Sequence, residues 1–329
     1  MENITIVGAG SWGLAIGLLL NGEGHNVTFW CYSEQEKEEI LQHRENKRCL
    51  PGIKIPLEIN FTTCMKEALA ESNIVVLAVP SKGVRTTTVN MKPYLRKDVI
   101  VVNVAKGVEE GSLLRLSEVI EEVIPNPVVV LSGPSHAEEV ARHIPTAVTV
   151  SSKNLEYAYK IQDLMMTKYF RVYTNADIIG IEIGGALKNV IALATGIIDG
   201  MGFGDNTKAA LMTRGIAEMT RLGTSMGGDA ATFAGLTGIG DLIVTCTSGH
   251  SRNRRAGELI GQGYTMEEAI KKVNMVVEGV PTTKACYDLM KKYEVEMPIL
   301  EAIYSVIFAN KPVKETIYNL MMRDKKHEN

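Results

Sequence analysis

Cysteine is scarce in this 329-residue chain. Cys31, Cys49, Cys64, Cys246 and Cys286 are odd in number, scattered, and free of CxxC or His-Cys ligand spacing, which argues against a disulfide framework or a structural metal and points to a reducing cytosol. Basic excess is lacking as well: 35 Lys and Arg stand against 38 Asp and Glu, a net charge of -3. Such a balance offers no field for nucleic acid or an anionic membrane, so any anion must meet a local cluster. No uninterrupted apolar run reaches the roughly 18 residues of a membrane span, because Glu182, Lys188 and Asp199 break the longest candidate. The shorter run Leu14 to Leu20 has no basic leader and directly follows a glycine-rich turn, so it is expected to be a core helix and not a signal peptide. Repeats, low-complexity tracts and a Pro/Ser-rich linker are also missing. What remains is a chain with 45% hydrophobic and 22% charged residues, enough to build cores for two domains.

The two halves differ in period. Short β-branched runs at Ile4-Val7, Asn26-Trp30, Ile74-Val79, Val99-Val104, Val128-Leu131 and Ala147-Val150 predict strands, with helical segments such as 13 to 22 and 112 to 123 between them. That alternation predicts an α/β fold with a doubly wound parallel sheet. Beyond residue 177 the β-branched runs nearly vanish, and segments 185 to 199, 207 to 222, 252 to 261, 266 to 272 and 282 to 292 follow helical period. The expected organisation is an α/β domain over 1–189, which a glycine loop makes dinucleotide-binding, and an all-helical domain over 190–329, joined by a long helix. The final Met321 to Asn329 segment is expected to be a frayed helix end.

Gly8-Ala9-Gly10-Ser11-Trp12-Gly13 follows an apolar strand and opens a helix, the context in which a GxGxxG loop holds a pyrophosphate. Gly8 permits the turn, Gly10 admits a phosphate to the backbone, and Gly13 lets helix pack on strand. At the tip of the second strand Trp30-Cys31-Tyr32-Ser33-Glu34 offers neither the acid of an NAD site nor the arginine of an NADP site, which leaves both cofactors open. Tyr32 and Ser33 could stack or donate hydrogen bonds there. Later strands end at Pro80-Ser81, Ala105-Lys106-Gly107 and Ser132-Gly133-Pro134-Ser135-His136, so Lys106 and Ser135 are expected on the edge that carries the glycine loop. His136 is a candidate acid/base group or a capping residue, and Lys106 alone is equally an ordinary loop lysine.

Lys188 stands in Gly184-Gly185-Ala186-Leu187-Lys188-Asn189-Val190-Ile191-Ala192, a stretch that otherwise reads as a buried helix. A lysine drawn toward neutrality by burial is a candidate acid/base, whereas one that snorkels merely covers the apolar face. Ser251 is a natural N-cap for a helix whose first turn holds Arg252, Arg254 and Arg255. Three cations there oppose the helix dipole unless an anion binds or some of them pair elsewhere, and a phosphate suits the site. Asp241 and several hydroxyls lie nearby in sequence. Glu278, beside a turn, is either surface charge or a partner for a nicotinamide carboxamide or ribose.

These segments together resemble the bacterial-type NAD(P)-dependent glycerol-3-phosphate dehydrogenases, with a Rossmann-type N-terminal domain. The resemblance rests on GAGSWG at 8–13, LPG at 50–52, AVPS at 78–81, KG at 106–107, LSGPS-AEEVA at 131–141, EIGGALKNVIALATGIIDG at 182–200, GDNTKAALMTRG at 204–215, GLTGIGDLIVTCTSGHSRNRR at 235–255 and VVEGV at 276–280. It implies reversible reduction of dihydroxyacetone phosphate by NADH or NADPH to sn-glycerol 3-phosphate for phospholipid synthesis, with the all-helical domain over 190–329 as the substrate-binding one. The cysteine usage adds the expectation of a cytoplasmic protein, and a homodimer through the helical half is a further expectation. It further implies Lys188 as acid/base and Lys106 as the group orienting the carbonyl. Lys106, Gly133, Ser135, Lys188, Asp241, Ser251, Arg252 and Asn253 would bind substrate. Ser11, Trp12, Tyr32, Lys106, Ala137, Arg252, Val276 and Glu278 would join the three loop glycines, Gly8, Gly10 and Gly13, around the dinucleotide. Three positions depart from the family pattern: Tyr32 where many relatives carry arginine, His136 where an aromatic is common, and Cys49 where tyrosine is common. A hydroxy-acid dehydrogenase of the same plan and a noncatalytic dinucleotide sensor are the competing expectations. The spacing of Asp241 with the Ser-Arg-Asn block separates the first from the glycerol-phosphate enzymes.

Overall fold

The computed structural model describes residues 1–325, 327 and 328. Two compact units emerge, one of Met1–Glu109 with Leu114–Glu182 and the other of Glu110–Leu113 with Ile183–Asn329. Their division falls at Glu182, within the helix Ile178–Gly200, whereas the sequence pattern put it near residue 189 of the same helix.

The first unit is built on eight strands: β1 (Asn3–Val7), β2 (Asn26–Trp30), β3 (Asn60–Thr62), β4 (Ile74–Leu77), β5 (Ile100–Asn103), β6 (Val128–Ser132), β7 (Thr146–Ser151) and β8 (Phe170–Thr174). They lie in the order β3-β2-β1-β4-β5-β6-β7-β8. Alternate side chains feed two cores, as the strand period requires. Ile4, Ile6, Val76, Val102 and Leu131 pack on one face, and Val7, Val75, Leu77 and Val101 on the other. Helices on both faces make the sheet doubly wound.

The strand pairing is parallel except between β6 and β7, which run antiparallel. A parallel return needs a crossover long enough to carry the chain back along the sheet. The helix after β6, Ala137–Val140, has four residues and spans roughly 6 Å, against roughly 16 Å for a five-residue strand. The chain therefore turns back beside β6, and β8 follows β7 in parallel. β3 and β8 were not expected from the sequence.

The second unit contains no strand among its described residues. Its helix Ile178–Gly200 is long and apolar enough to cross a membrane by length and composition, yet 94% of its most apolar window is buried in the protein. Small residues account for this. A Cβ on Gly196 would fall 1.9 Å from the Arg254 carbonyl oxygen, and one on Gly257 would fall 2.0 Å from that of Leu193. The helices Ile178–Gly200 and Arg252–Gly261 thus pack backbone to backbone. The last helix, Val313–Met321, ends where the frayed segment was expected to begin; Lys326 and Asn329 of that segment lie outside the described residues.

Glu218, on the helix Asp205–Ser225, is 1% exposed and accepts the N–H groups of Ile299 (2.8 Å) and Leu300 (3.2 Å) at the start of the helix Pro298–Phe308. Burial pushes its carboxyl up to about 7 despite those two bonds. Because the folded value exceeds the ordinary one of 4.5, the folded state holds the proton longer, and stability falls as pH rises from about 4.5 through about 7. Relative to Glu218→Gln, the wild type should lose on the order of 3 kcal/mol between pH 5 and pH 8 in urea denaturation, and an equal pH dependence of both proteins would refute the assignment.

Candidate active site

In the first unit, the parallel register brings the carboxyl ends of β1, β4, β5 and β6 to one edge, with Val7 beside Leu77 and Leu77 beside Asn103. The glycine loop leaves β1 there. Gly8 has φ +115°, and a Cβ on it would meet the Ala78 carbonyl oxygen at 2.7 Å. On Gly13 a Cβ would fall 2.2 Å from the Gly8 carbonyl oxygen, so both positions require glycine for close packing. Gly10 differs, since nothing lies within 4 Å of where its Cβ would stand. Gly10 is the N-cap residue of the helix Ser11–Gly22, whose N-terminus has neither a side-chain cap nor an acid in its first turn. The geometry fits a dinucleotide pyrophosphate, held by backbone N–H groups that the protein leaves without a capping side chain. Trp12 packs its ring against the core, and its indole Nε1 is buried without a hydrogen-bond partner.

On the same edge, the side chain of buried Asn103 brackets the turn after β5, accepting from Ala105 N (3.3 Å) and donating to Ala105 O (3.2 Å). Lys106 follows, and its ammonium donates to the Gly133 carbonyl oxygen at 3.0 Å. Ser135 Oγ donates to that same oxygen at 3.0 Å. Gly133 has φ +134° and lies so close to β7 that a Cβ would meet Val148 Cα at 3.0 Å. Lys106, Gly133 and Ser135 are thereby gathered around one carbonyl. Ala137 is buried in the next short helix, which packs against the helix Ser11–Gly22. His136 precedes that helix and makes no side-chain cap. At the tip of β2, Tyr32 is 86% exposed and Ser33 caps the following helix, Glu34–His43.

In the second unit Lys188 is 7% exposed, so it does not snorkel. Its ammonium is ion-paired with the buried carboxylate of Asp241 and donates to Thr245 Oγ1 at 2.9 Å. Thr245 in turn donates to the Asp241 carbonyl oxygen at 2.6 Å, one helical turn back. The burial of the ammonium is thus met by a counter-charge and a hydroxyl. Thr245 was not singled out from sequence, although its spacing of four from Asp241 on one helix puts both on one face.

Two glycines set this contact. Gly238 lies in a single π-helical turn, Leu236–Gly240, in which Gly240 N–H reaches the Gly235 carbonyl at 3.1 Å. A Cβ on Gly238 would overlap the Phe233 carbonyl oxygen at 1.9 Å. This turn delivers Asp241 to the start of the helix Asp241–Thr247. Gly184, one turn before Lys188, lets the long helix approach it, for a Cβ there would fall 2.7 Å from the Thr237 carbonyl oxygen.

Ser251 caps the helix Arg252–Gly261, its Oγ accepting from Arg254 N at 3.2 Å. Arg254 is not directed to a ligand; its Nε and Nη2 both bond Asp199 Oδ2, at 2.7 and 2.6 Å. This pairing removes one of the three cations that oppose the dipole. The amide of Asn253 is engaged at both ends, donating to Asn189 Oδ1 (2.9 Å) and accepting from Gly279 N (2.8 Å). It ties the cap of one helix to the start of another, directly after Glu278. Val276, two residues earlier, is 38% exposed.

Because Gly184 controls how closely the lysine helix meets the π-helical turn, Gly184→Ala should cost roughly 1–3 kcal/mol, read as a lowered melting temperature. Gly22→Ala, with nothing within 4 Å of the new Cβ, serves as the control and should hold or slightly raise the melting temperature. Equal melting of the two variants would contradict the close contact.

Comparison with known proteins agrees with this architecture. The family model for the NAD-dependent glycerol-3-phosphate dehydrogenase N-terminus matches residues 3–158, and that for the C-terminus matches residues 177–318. A glycerol-3-phosphate dehydrogenase [NAD(P)+] of Thermoanaerobacter sp. (strain X514) is 56% identical over 99% of this chain and 98% of its own length. The protein of that name from Bacillus subtilis (strain 168) is 53% identical over 100% of this chain and 96% of its own. The crystal structure of glycerol-3-phosphate dehydrogenase from Coxiella burnetii superposes with a TM-score of 0.95 at 36% identity, covering 98% of this chain and 99% of that one. The chain belongs to the family of NAD-dependent glycerol-3-phosphate dehydrogenases.

Proposed function

We propose that this chain catalyses the reversible reaction of dihydroxyacetone phosphate with NADH or NADPH and a proton to give sn-glycerol 3-phosphate and the oxidised cofactor, supplying glycerophospholipid synthesis. The observation that carries the chemical part is the buried ammonium of Lys188, held by Asp241 and Thr245. Reduction of a ketone develops negative charge on its oxygen, and a proton donor fixed before the reaction stabilises that charge without waiting for solvent to reorganise. Lys188 is assigned this role, giving a proton to the oxygen in reduction and taking it back in oxidation. The nicotinamide supplies the hydride when bound.

Asp241 and Thr245 act through Lys188 by fixing the position of its Nζ. Lys106, anchored on the Gly133 carbonyl with Ser135 beside it, is assigned to orienting the substrate carbonyl. Ser251, Arg252 and Asn253 are assigned to the phosphate; since the Asn253 amide is engaged within the protein, its contribution there is through the backbone N–H at the helix start. Fixing the phosphate orients a three-carbon substrate at its distant carbonyl. Gly8, Gly10, Ser11, Trp12, Gly13, Tyr32, Ala137, Val276 and Glu278 are assigned to the dinucleotide, together with Lys106 and Arg252. A cytosolic location and a homodimer through the helical half belong to the same proposal.

The direct test follows the loss of reduced-nicotinamide absorbance with dihydroxyacetone phosphate, using NADH and NADPH separately. Substrate-dependent oxidation is expected, and Lys188→Ala should lower kcat by about 100-fold or more. A wild type that binds the cofactor but oxidises it only with a 2-hydroxy-acid's keto form would transfer the chain to that substrate class. Binding without any turnover would favour a sensor.

A further inference from the structure

We propose that Arg48 is the residue that recognises the 2′-phosphate of NADPH, and that Glu36 opposes it, so that this pair sets the choice between the two cofactors. The proposal rests on the assignment of the glycine loop to a dinucleotide. In such a sheet the adenosine ribose lies at the tip of the second strand, where an acid favours NAD and a nearby arginine accepts the extra phosphate.

The residues that follow β2 in sequence are otherwise occupied. Cys31 is buried. Ser33 spends its hydroxyl on capping Glu36 N at 3.2 Å. Glu34 is engaged by Lys37 and by Thr63 Oγ1. Glu36, in contrast, folds back over the tip: its Oε2 accepts the Tyr32 N–H at 3.3 Å, while its Oε1 lies 3.9 Å from Arg48 Nη2. Its side chain is 19% exposed and that of Arg48 is 69% exposed, so a well-held carboxylate faces a loosely held guanidinium.

Arg48 reaches this place from a different segment, and that segment is fixed to the glycine loop. Buried Asn46 donates its amide to the Ala9 carbonyl oxygen at 3.0 Å, inside the loop itself. Its Oδ1 accepts from Cys49 N at 3.0 Å, and its carbonyl accepts from Leu50 N at 2.9 Å. Leu50 is 2% exposed and packs in the core. Arg48 therefore stands on a one-turn bracket pinned at both ends, next to the pyrophosphate-binding loop and against the carboxylate at the strand tip. A 2′-phosphate entering there would exchange a weak, solvent-screened ion pair for a charge-assisted bond to a planar guanidinium. A free 2′-hydroxyl would instead donate to Glu36. The chain thus replaces a strand-tip arginine by one delivered from the following loop.

The test is binding without turnover, measured as dissociation constants of NADPH and NADH from the quenching or enhancement of nicotinamide fluorescence. Arg48→Ala should weaken NADPH by about 10-fold or more and leave NADH within about twofold, as expected for loss of one charge-assisted bond. Glu36→Gln should tighten NADPH, and Arg48→Lys should restore part of the affinity lost in Arg48→Ala. Equal effects of Arg48→Ala on both cofactors, or none on either, would overturn the proposal while leaving the glycine-loop assignment intact. A wild type that binds NADH but not NADPH would overturn it as well. Failure of the wild type to bind either cofactor would overturn the glycine-loop assignment, and this proposal with it.

Discussion

A lysine ammonium held at 7% exposure in a helix of apolar and small residues is stable only if counter-charge and hydrogen-bond acceptors replace its water, and Asp241 and Thr245 supply both. Removing one member of such a buried pair costs about 3–5 kcal/mol. Net stabilities are only about 5–15 kcal/mol, so the pair is a constraint on folding. The surrounding helices have to be arranged around it. The π-helical turn that presents Asp241 and the glycine that lets the long helix reach that turn serve this end.

The close helix crossing also explains the site beside it. Because Gly196 and Gly257 bring two backbones together, the capped start of the helix Arg252–Gly261 is held in one place, and Arg254 can reach Asp199 across the crossing. That ion pair and the two bonds of the Asn253 amide use side chains which, on sequence alone, look available to an anion. The first unit follows the same economy: Lys106 and Ser135 converge because a positive-φ glycine turns one carbonyl toward both.

Much of this was legible in the residues. β1, β4, β5 and β6 are written in β-branched runs buried on both faces, β2 in a run that buries Val27 and Phe29 on one face, and the helical half in its 3.6-residue period. β3 escaped because three residues carry too little pattern. β8 escaped, although Phe170-Arg171-Val172-Tyr173-Thr174 alternates as a strand with one buried face does, because its β-branched run is shorter than those of the strands buried on both faces. The reversal at β7 depends on how far a four-residue helix can carry the chain, a matter of length that hydrophobic pattern does not report. Lys188, Asp241 and Ser251 stood out by residue type and setting. Thr245, the pairing of Arg254 with Asp199, and the meeting of Arg48 with Glu36 are contacts between segments distant in sequence or one turn apart, and only the fold brings them together.

If Asp241 acts through Lys188, the two residues form one functional unit and their losses cannot add. The most direct measurement is a double-mutant cycle on kcat/KM for dihydroxyacetone phosphate, with Lys188→Met, Asp241→Asn and the combined variant. The combined variant should lose no more activity than Lys188→Met alone, and it should unfold at higher urea than Asp241→Asn, since it no longer buries an unpaired ammonium. Losses that multiply would show that Asp241 contributes independently of Lys188 and would contradict the account.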